Sequence, residues 1–372
     1  MTYAQERLKL GITTVGFWVV IATLLLVFNV PEKIPSTLSI SQLLAGIIGS
    51  YILLSFPFDV WGGYVLPKKF NRSSKGFFYW LKKWAKGCFS QGVILLTSGY
   101  ALFAWFHIFD SSALRLAFIV AIQLIFALFQ KPIAFWTGSF SLNSSSNHPN
   151  KSVWNSQDIG FTGGATLIGQ LIYPAHWLTQ FPHNESLLWI TKRRDDLIKS
   201  LSNGMGYFVA VGFNTLGAAI VLVLGSLTFA APSDWLTFIL GTTLWSFLGV
   251  LVLPMLNQKA VLHLDLCTIS SQPPASMDAI KSGIVTLDAW QDEEPSRHPW
   301  VQRIFHPIPS VTQRLGAFQQ PNSKLHQTKT YYPWHVARRA LFLSWPLMGL
   351  LNRAVHCNVG RPDLWVFLPS EG

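Results

Sequence analysis

Charge is scarce in this chain. Asp, Glu, Lys and Arg make up only 12% of its 372 residues, against 50% hydrophobic and 14% aromatic. Soluble domains carry about a quarter charged residues, so that class is excluded. Cysteine is scarce too: Cys88, Cys267 and Cys357 lie far apart without a CxxC, which implies neither a disulfide framework nor a cysteine zinc site. No two of the ten histidines stand four residues apart, so no helix offers the i, i+4 pair that grips zinc. There is no GxSxG, and GFTGG at 160–164 lacks the spacing of a phosphate loop; it reads as a tight turn before a strand.

Apolar runs are abundant. Six of them, roughly Ile12–Val30, Ile40–Phe58, Ser90–Ile108, Leu114–Phe129, Tyr207–Ala230 and Trp235–Leu256, approach or exceed the ~20 residues needed to cross about 30 Å of hydrocarbon. The first follows Arg7 and Lys9 without a small-residue cleavage pattern, which suits a span better than a signal peptide. The fold class is mainly α: a polytopic helical membrane protein with about six transmembrane helices. Ala340–Leu351 is too short to span and reads as interfacial or core.

The net charge of +11 comes from basic residues beside the spans. Arg7 and Lys9 precede the first span, a cluster from Lys68 to Lys86 follows the second, and Lys131 to Lys199 follow the fourth; the alternate loops are nearly bare. Basic loops stay cytoplasmic, so both termini and the polar segments are expected there. The basic surface points to bilayer and anionic headgroups as partners, and no nucleic acid is expected. In KGFFYWLKKWAK (75–86), Phe77, Trp80 and Trp84 share a face opposite Lys82, Lys83 and Lys86. Lys75, Trp80, Lys82, Lys83, Trp84 and Lys86 are therefore expected at the lipid interface, on an amphipathic helix leading into the third span.

The expected organisation is an N-terminal membrane domain (1–131), a cytoplasmic strand-and-helix segment (132–206), two further spans (207–256) and a cytoplasmic C-terminal region (257–372). Ser141–Asn150 is a Ser/Asn-rich linker. Thr166–Ile172 reads as a strand whose edge is free to accept an extended peptide. Glu185–Ser200, ESLLWITKRRDDLIKS, reads as a charged helix in which Lys192 reaches Asp195 or Asp196 and Arg193 reaches Asp196. In Asp278–Trp290, Ile280, Ile284, Leu287 and Trp290 form a buried stripe. Asp292–Glu294 reads as a solvated acidic loop.

Four segments in order resemble the integral-membrane zinc metallopeptidases that include the CAAX prenyl endopeptidases and the HtpX-like proteases. They are FPFDVWGGYVLPKKF…GVILL (56–96), GFTGGATLIGQLIYPAHWLTQFPHNESLLWI (160–190), VLHLDLCTISSQPPASMDAIKSGIVTLDAW (261–290) and IFHPIPSVTQRLGAF (304–318). The resemblance covers most of residues 50–318 and implies a small α+β cytoplasmic metallopeptidase-like domain. It puts the family motif at Lys192, Arg193, Arg194, Asp195 and Asp196, with Asp265 on the following helix and His306, Pro307 and Arg314 in the closing segment. Such enzymes need HExxH on one helix, two histidines for the metal and a Glu for its water. KRRDD stands there instead, so no cofactor is expected and the chain reads as a degenerate member that binds a membrane-associated protein or peptide, or serves as a regulatory or scaffold subunit. The first alternative is an active membrane endopeptidase whose zinc is held by His176, His183, His263 and Asp265. The second is a transporter or lipid-handling protein, for which the spans hold few polar residues.

Overall fold

The computed structural model describes residues 2–142, 151–270, 276–319 and 332–367. Helices α1 (Tyr3–Val27), α2 (Ile40–Val60), α3 (Leu66–Lys69), α4 (Phe77–Ile108), α5 (Ser112–Leu128) and α6 (Gln130–Thr137) come first. Strands β1 (Ser141–Leu142), β2 (Lys151–Asn155), β3 (Gly164–Ala165) and β4 (Leu171–Pro174) follow. Then come α7 (Trp177–Gln180), α8 (Asn184–Lys199), α9 (Ser202–Leu224), α10 (Pro232–Val252), α11 (Pro254–Ser270), α12 (Met277–Trp290), α13 (Pro299–Phe305), α14 (Val311–Phe318) and α15 (Val336–Leu343).

Among the described residues, five helices are long and apolar enough to cross a membrane, or six if α5 and α6, bent by 66°, form one span. Their limits differ from the expected ones for local reasons. Thr2 and Gln5 form a capping box that starts α1 at Tyr3, well before Ile12. The second apolar helix does not stop at Phe58. A π turn at Trp61–Val65 carries it into α3, giving 30 continuous residues to Lys69. The expected interfacial helix and third span are one element, α4, whose 32 residues make about 48 Å.

The chain divides into two compact units. The first comprises 1–138, 210–249 and 340–366. Leu102, Phe106, Ile119, Ala218, Phe229, Trp235 and Phe238 form one of its cores. Its last piece, 340–366, is almost wholly buried and runs through two 3-10 turns, Trp345–Leu347 and Pro362–Leu364. Its carbonyls find side-chain donors: Asn214 Nδ2 to Ala340 O at 3.0 Å, Asn352 Nδ2 to Trp365 O at 2.7 Å. The expected C-terminal region 257–372 is therefore split, because its apolar, Trp-containing piece 340–366 groups with the apolar helices of the first unit.

The second unit comprises 139–209, 250–339 and the chain end from Phe367. Its sheet has the order β1-β2-β4-β3, with β2 and β4 parallel and the outer pairs antiparallel. Trp177, Trp189, Ile190, Val261, Leu264, Ile280, Ile284 and Leu287 form the core beneath it, so the expected stripe of α12 is buried as read, with Trp290 partly exposed. Of the Ser/Asn-rich linker, Ser141 and Leu142 form β1 and 143–150 lie outside the described residues. The run Thr166–Ile172 is a hairpin and not one strand. The Thr166 N–H donates to Gln170 O at 3.0 Å, and Gly169 takes φ +77°, a left-handed conformation that turns the chain back.

Candidate functional site

Helix α8 buries Ser186, Trp189, Ile190, Arg193, Arg194 and Leu197. That spacing is one helical face, and two of its members are arginines. Arg193 Nε donates to Asp265 Oδ1 of α11 at 2.6 Å. Arg314 of α14 donates to the same carboxylate, Nε to Oδ2 at 2.7 Å and Nη2 to Oδ1 at 3.0 Å. All three side chains are at most 1% exposed. The Arg193 guanidinium also lies 4.8 Å from the Trp334 ring. Burial pulls the pKa of Arg314 below its ordinary value; Asp265 opposes that shift and Arg193 adds to it. Two guanidiniums share the Asp265 carboxylate, and Asp288 also acts on Arg314.

Arg194 faces the sheet. Its Nη1 donates to Ile172 O at 2.7 Å and its Nη2 to Thr162 O, and the guanidinium stacks over Trp177 at 4.3 Å. The β3–β4 hairpin is further held by Asn203 Nδ2 on Thr166 O at 3.0 Å and Tyr207 OH on Ala165 O at 3.2 Å. The other three residues of KRRDD lie toward the surface in ion pairs: Lys192 with Asp196 at 2.5 Å, Asp195 with Lys151 at 3.0 Å. The expected Lys192–Asp196 pair is thus present. Arg193 turns instead to Asp265, because its helical position points it into the core.

The closing motif is buried as well. His306 Nδ1 lies 2.5 Å from Glu293 Oε2, and Arg297 bridges Glu293 at 3.2 Å and Asp288 at 3.0 Å. Pro307 O accepts from Asn257 Nδ2 at 2.7 Å, and His306 O from Gln258 Nε2 at 2.6 Å, which braces the His-Pro turn against α11. Burial pushes the Asp288 carboxyl up to about 7, against the pull of Arg297. Asp292 and Glu293 are buried and not solvated; Asp292 sits at φ +63° and the chain folds inward there.

The four metal candidates are dispersed. His176 packs edge-on to Trp290 at 5.1 Å, and burial lowers its pKa to about 4, so it is neutral near pH 7. His183 is the exposed N-cap residue of α8. His263 lies beside Cys267, Nδ1 to Sγ 3.6 Å, and Tyr332. Asp265 is engaged by both arginines. Among the described residues these four form no group with ligand atoms close enough to share an ion. The strand-edge site is also altered: β4 has β2 on one side and β3 on the other, so neither of its edges is open to a peptide. The sheet ends in β1 and β3, each two residues long.

The expected lipid-interface set divides on α4. Lys75, just before the helix, and Lys82 and Lys86 on it are exposed, as are Phe78 and Tyr79. Trp80 and Trp84 are buried, donating to Gly360 O at 3.0 Å and to Asp59 Oδ2 at 2.9 Å. Lys83 pairs with Asp363 at 2.7 Å, and Lys86 donates to Gly138 O at 2.5 Å. The aromatic stripe thus packs on protein, with only its flank outward.

Behind that stripe the first unit holds a polar knot that sequence reasoning missed. Buried Asp59 accepts from Arg353, from Trp84 and from the Gly360 N–H at 2.8 Å. Arg353 also donates to Gln91 Oε1 at 3.0 Å. Arg7, fully buried, donates to Gly62 O at 2.6 Å, to Val359 O at 3.3 Å and to His356 O. Gly63 and Gly360 permit the close approach: a Cβ on either would strike the backbone of the other.

No protein-family model matches the chain, and no curated protein matches it in sequence.

Proposed function

We propose that this chain is an integral, multi-pass membrane protein whose second unit resembles a metallopeptidase domain without its metal. It acts without hydrolysis, by binding a membrane-associated protein or peptide, or as a regulatory or scaffold subunit. The observation that carries this reading is the Arg193–Asp265–Arg314 triad. The residues at the motif positions of α8, α11 and α14 bond to one another. Two guanidiniums there disfavour a divalent cation, and the Asp265 carboxylate already accepts three hydrogen bonds. The basic loops favour cytoplasmic termini and a cytoplasmic second unit.

The test is metal analysis of the purified full chain after extraction from membranes. Zinc is expected well below one per chain and unchanged by His176→Ala, His183→Ala or His263→Ala. Near-stoichiometric zinc lost in those variants would overturn the reading. Alkaline extraction tests the membrane assignment separately, since a peripheral protein would be released.

A further inference from the structure

The first unit contains a groove of about 310 Å³ along α2, closed on its inner side by α1 and α10. Its α2 wall runs from Gln42 to Leu54, which is about 18 Å at 1.5 Å per residue. Buried Trp18, Ala22, Tyr51 and Leu240 make the floor, with Trp18 and Tyr51 packed at 5.0 Å between ring centres. Gly46 lies on the rim, and a Cβ built there meets nothing within 4 Å.

This space is lined almost wholly by apolar side chains and is open along one side. A retained water needs about two to four polar partners. Two polar groups of the lining are engaged within the protein: Gln42 Oε1 caps α2 by accepting from Ser39, and Thr243 Oγ1 donates to Ile239 O at 2.8 Å. An apolar groove of this kind favours an apolar ligand over water. At one end stand Leu38 and Gln42, with Ile34 packed against Ala22, Leu236 and Leu240. The turn before Ile34 presents Glu32 and Lys33, both exposed. An acid beside a base complements the amine and phosphate of a zwitterionic headgroup, which a free isoprenoid lacks.

We infer that one acyl chain of a zwitterionic phospholipid lies in this groove, its headgroup at Glu32 and Lys33. The inference rests on the membrane reading above. That reading fails if alkaline extraction releases the protein; the inference alone fails if the protein stays in the membrane and the groove holds no phospholipid.

The experiment is lipid extraction and quantification from the detergent-purified full chain, with two leucine variants on α2. Gly46→Leu fills the groove. Gly49→Leu lies outside it, also where an added Cβ meets nothing within 4 Å. Wild type and Gly49→Leu are expected to retain near-stoichiometric zwitterionic phospholipid, and Gly46→Leu about tenfold less. Equal retention in both variants, or isoprenoid in place of phospholipid, would overturn the inference. In the unmutated protein, a phospholipid with a photoreactive acyl chain is expected to crosslink to peptides containing Trp18–Leu25 or Leu43–Leu54. Labelling spread evenly over all spans would refute it without relying on any variant.

Discussion

Asp265→Asn keeps the shape of the side chain and removes its charge. It leaves Arg193 and Arg314 facing each other, each at most 1% exposed, with no carboxylate between them. Breaking a buried pair by removing one partner costs about 3–5 kcal/mol, because the remaining charge is stranded. Here one substitution removes the carboxylate that both arginines share. Against the roughly 5–15 kcal/mol that holds an ordinary domain together, that is a large fraction. A loss of roughly 10 °C in the unfolding midpoint of the second unit is expected. The informative comparison is the triple variant Arg193→Met, Asp265→Leu, Arg314→Met. Replacing a whole buried ionic group by apolar side chains is often neutral or stabilising by about 1–4 kcal/mol. The triple variant should therefore be more stable than Asp265→Asn alone, despite carrying more changes. Pulse proteolysis in detergent, with cleavage sites assigned to 139–209 and 250–339, reports the second unit separately from the spans. If Asp265→Asn costs less than about 1 kcal/mol, or if the triple variant is the weaker protein, the triad is not the buried electrostatic centre argued for it.

Two buried groups of the second unit oppose each other in pH. Asp288 has a folded pKa raised to about 7, so its stabilisation is complete below the ordinary value of 3.8 and is lost as pH rises through about 7. His176 has one lowered to about 4, so its stabilisation is present above 6.5 and lost as pH falls toward 4. Between pH 4 and 6.5 the two slopes, each on the order of 1.4 kcal/mol per pH unit at most, partly cancel. Midpoints measured across pH 4–8 should fall with acid more steeply in Asp288→Asn and less steeply in His176→Phe than in wild type; unchanged slopes would refute both assignments. In the first unit, Gly360→Ala places a Cβ against the Asp59 carbonyl and the Gly63 backbone at φ +71°. A loss of about 1–3 kcal/mol is expected from backbone strain alone. Gly16→Ala on α1, where an added Cβ meets nothing within 4 Å, should be neutral or slightly stabilising; thermal midpoints in detergent that rank the two the other way would contradict the close approach.

Features set by local sequence were legible. Apolar length located the helices long enough to cross a membrane, five by themselves and a sixth if the bent pair α5 and α6 is one, since nothing but the run itself decides whether a helix can cross hydrocarbon. The period of Ile280, Ile284 and Leu287 located the core face of α12 in the same way. What stayed hidden depends on partners far along the chain. Arg193 and Arg194 fall on the apolar face of α8, but charge reads as surface, and Asp265 lies 72 residues away. Asp59 and Arg353 are separated by 294. Trp80 and Trp84 look like interfacial aromatics because the segment that covers them is 280 residues distant for Trp80. A fully buried arginine is rare unless paired, and in a chain with 17 acids against 28 bases the carboxylates are the limiting partner. Asp59 in LLSFPFDVW and Asp265 in VLHLDL are each a lone acid within an otherwise apolar stretch. An acid there has no local reason to exist, since burial without a cation would raise its energy steeply. Each holds an arginine from a remote segment, so a solitary acid in an apolar helix is where the search for a distant partner should begin.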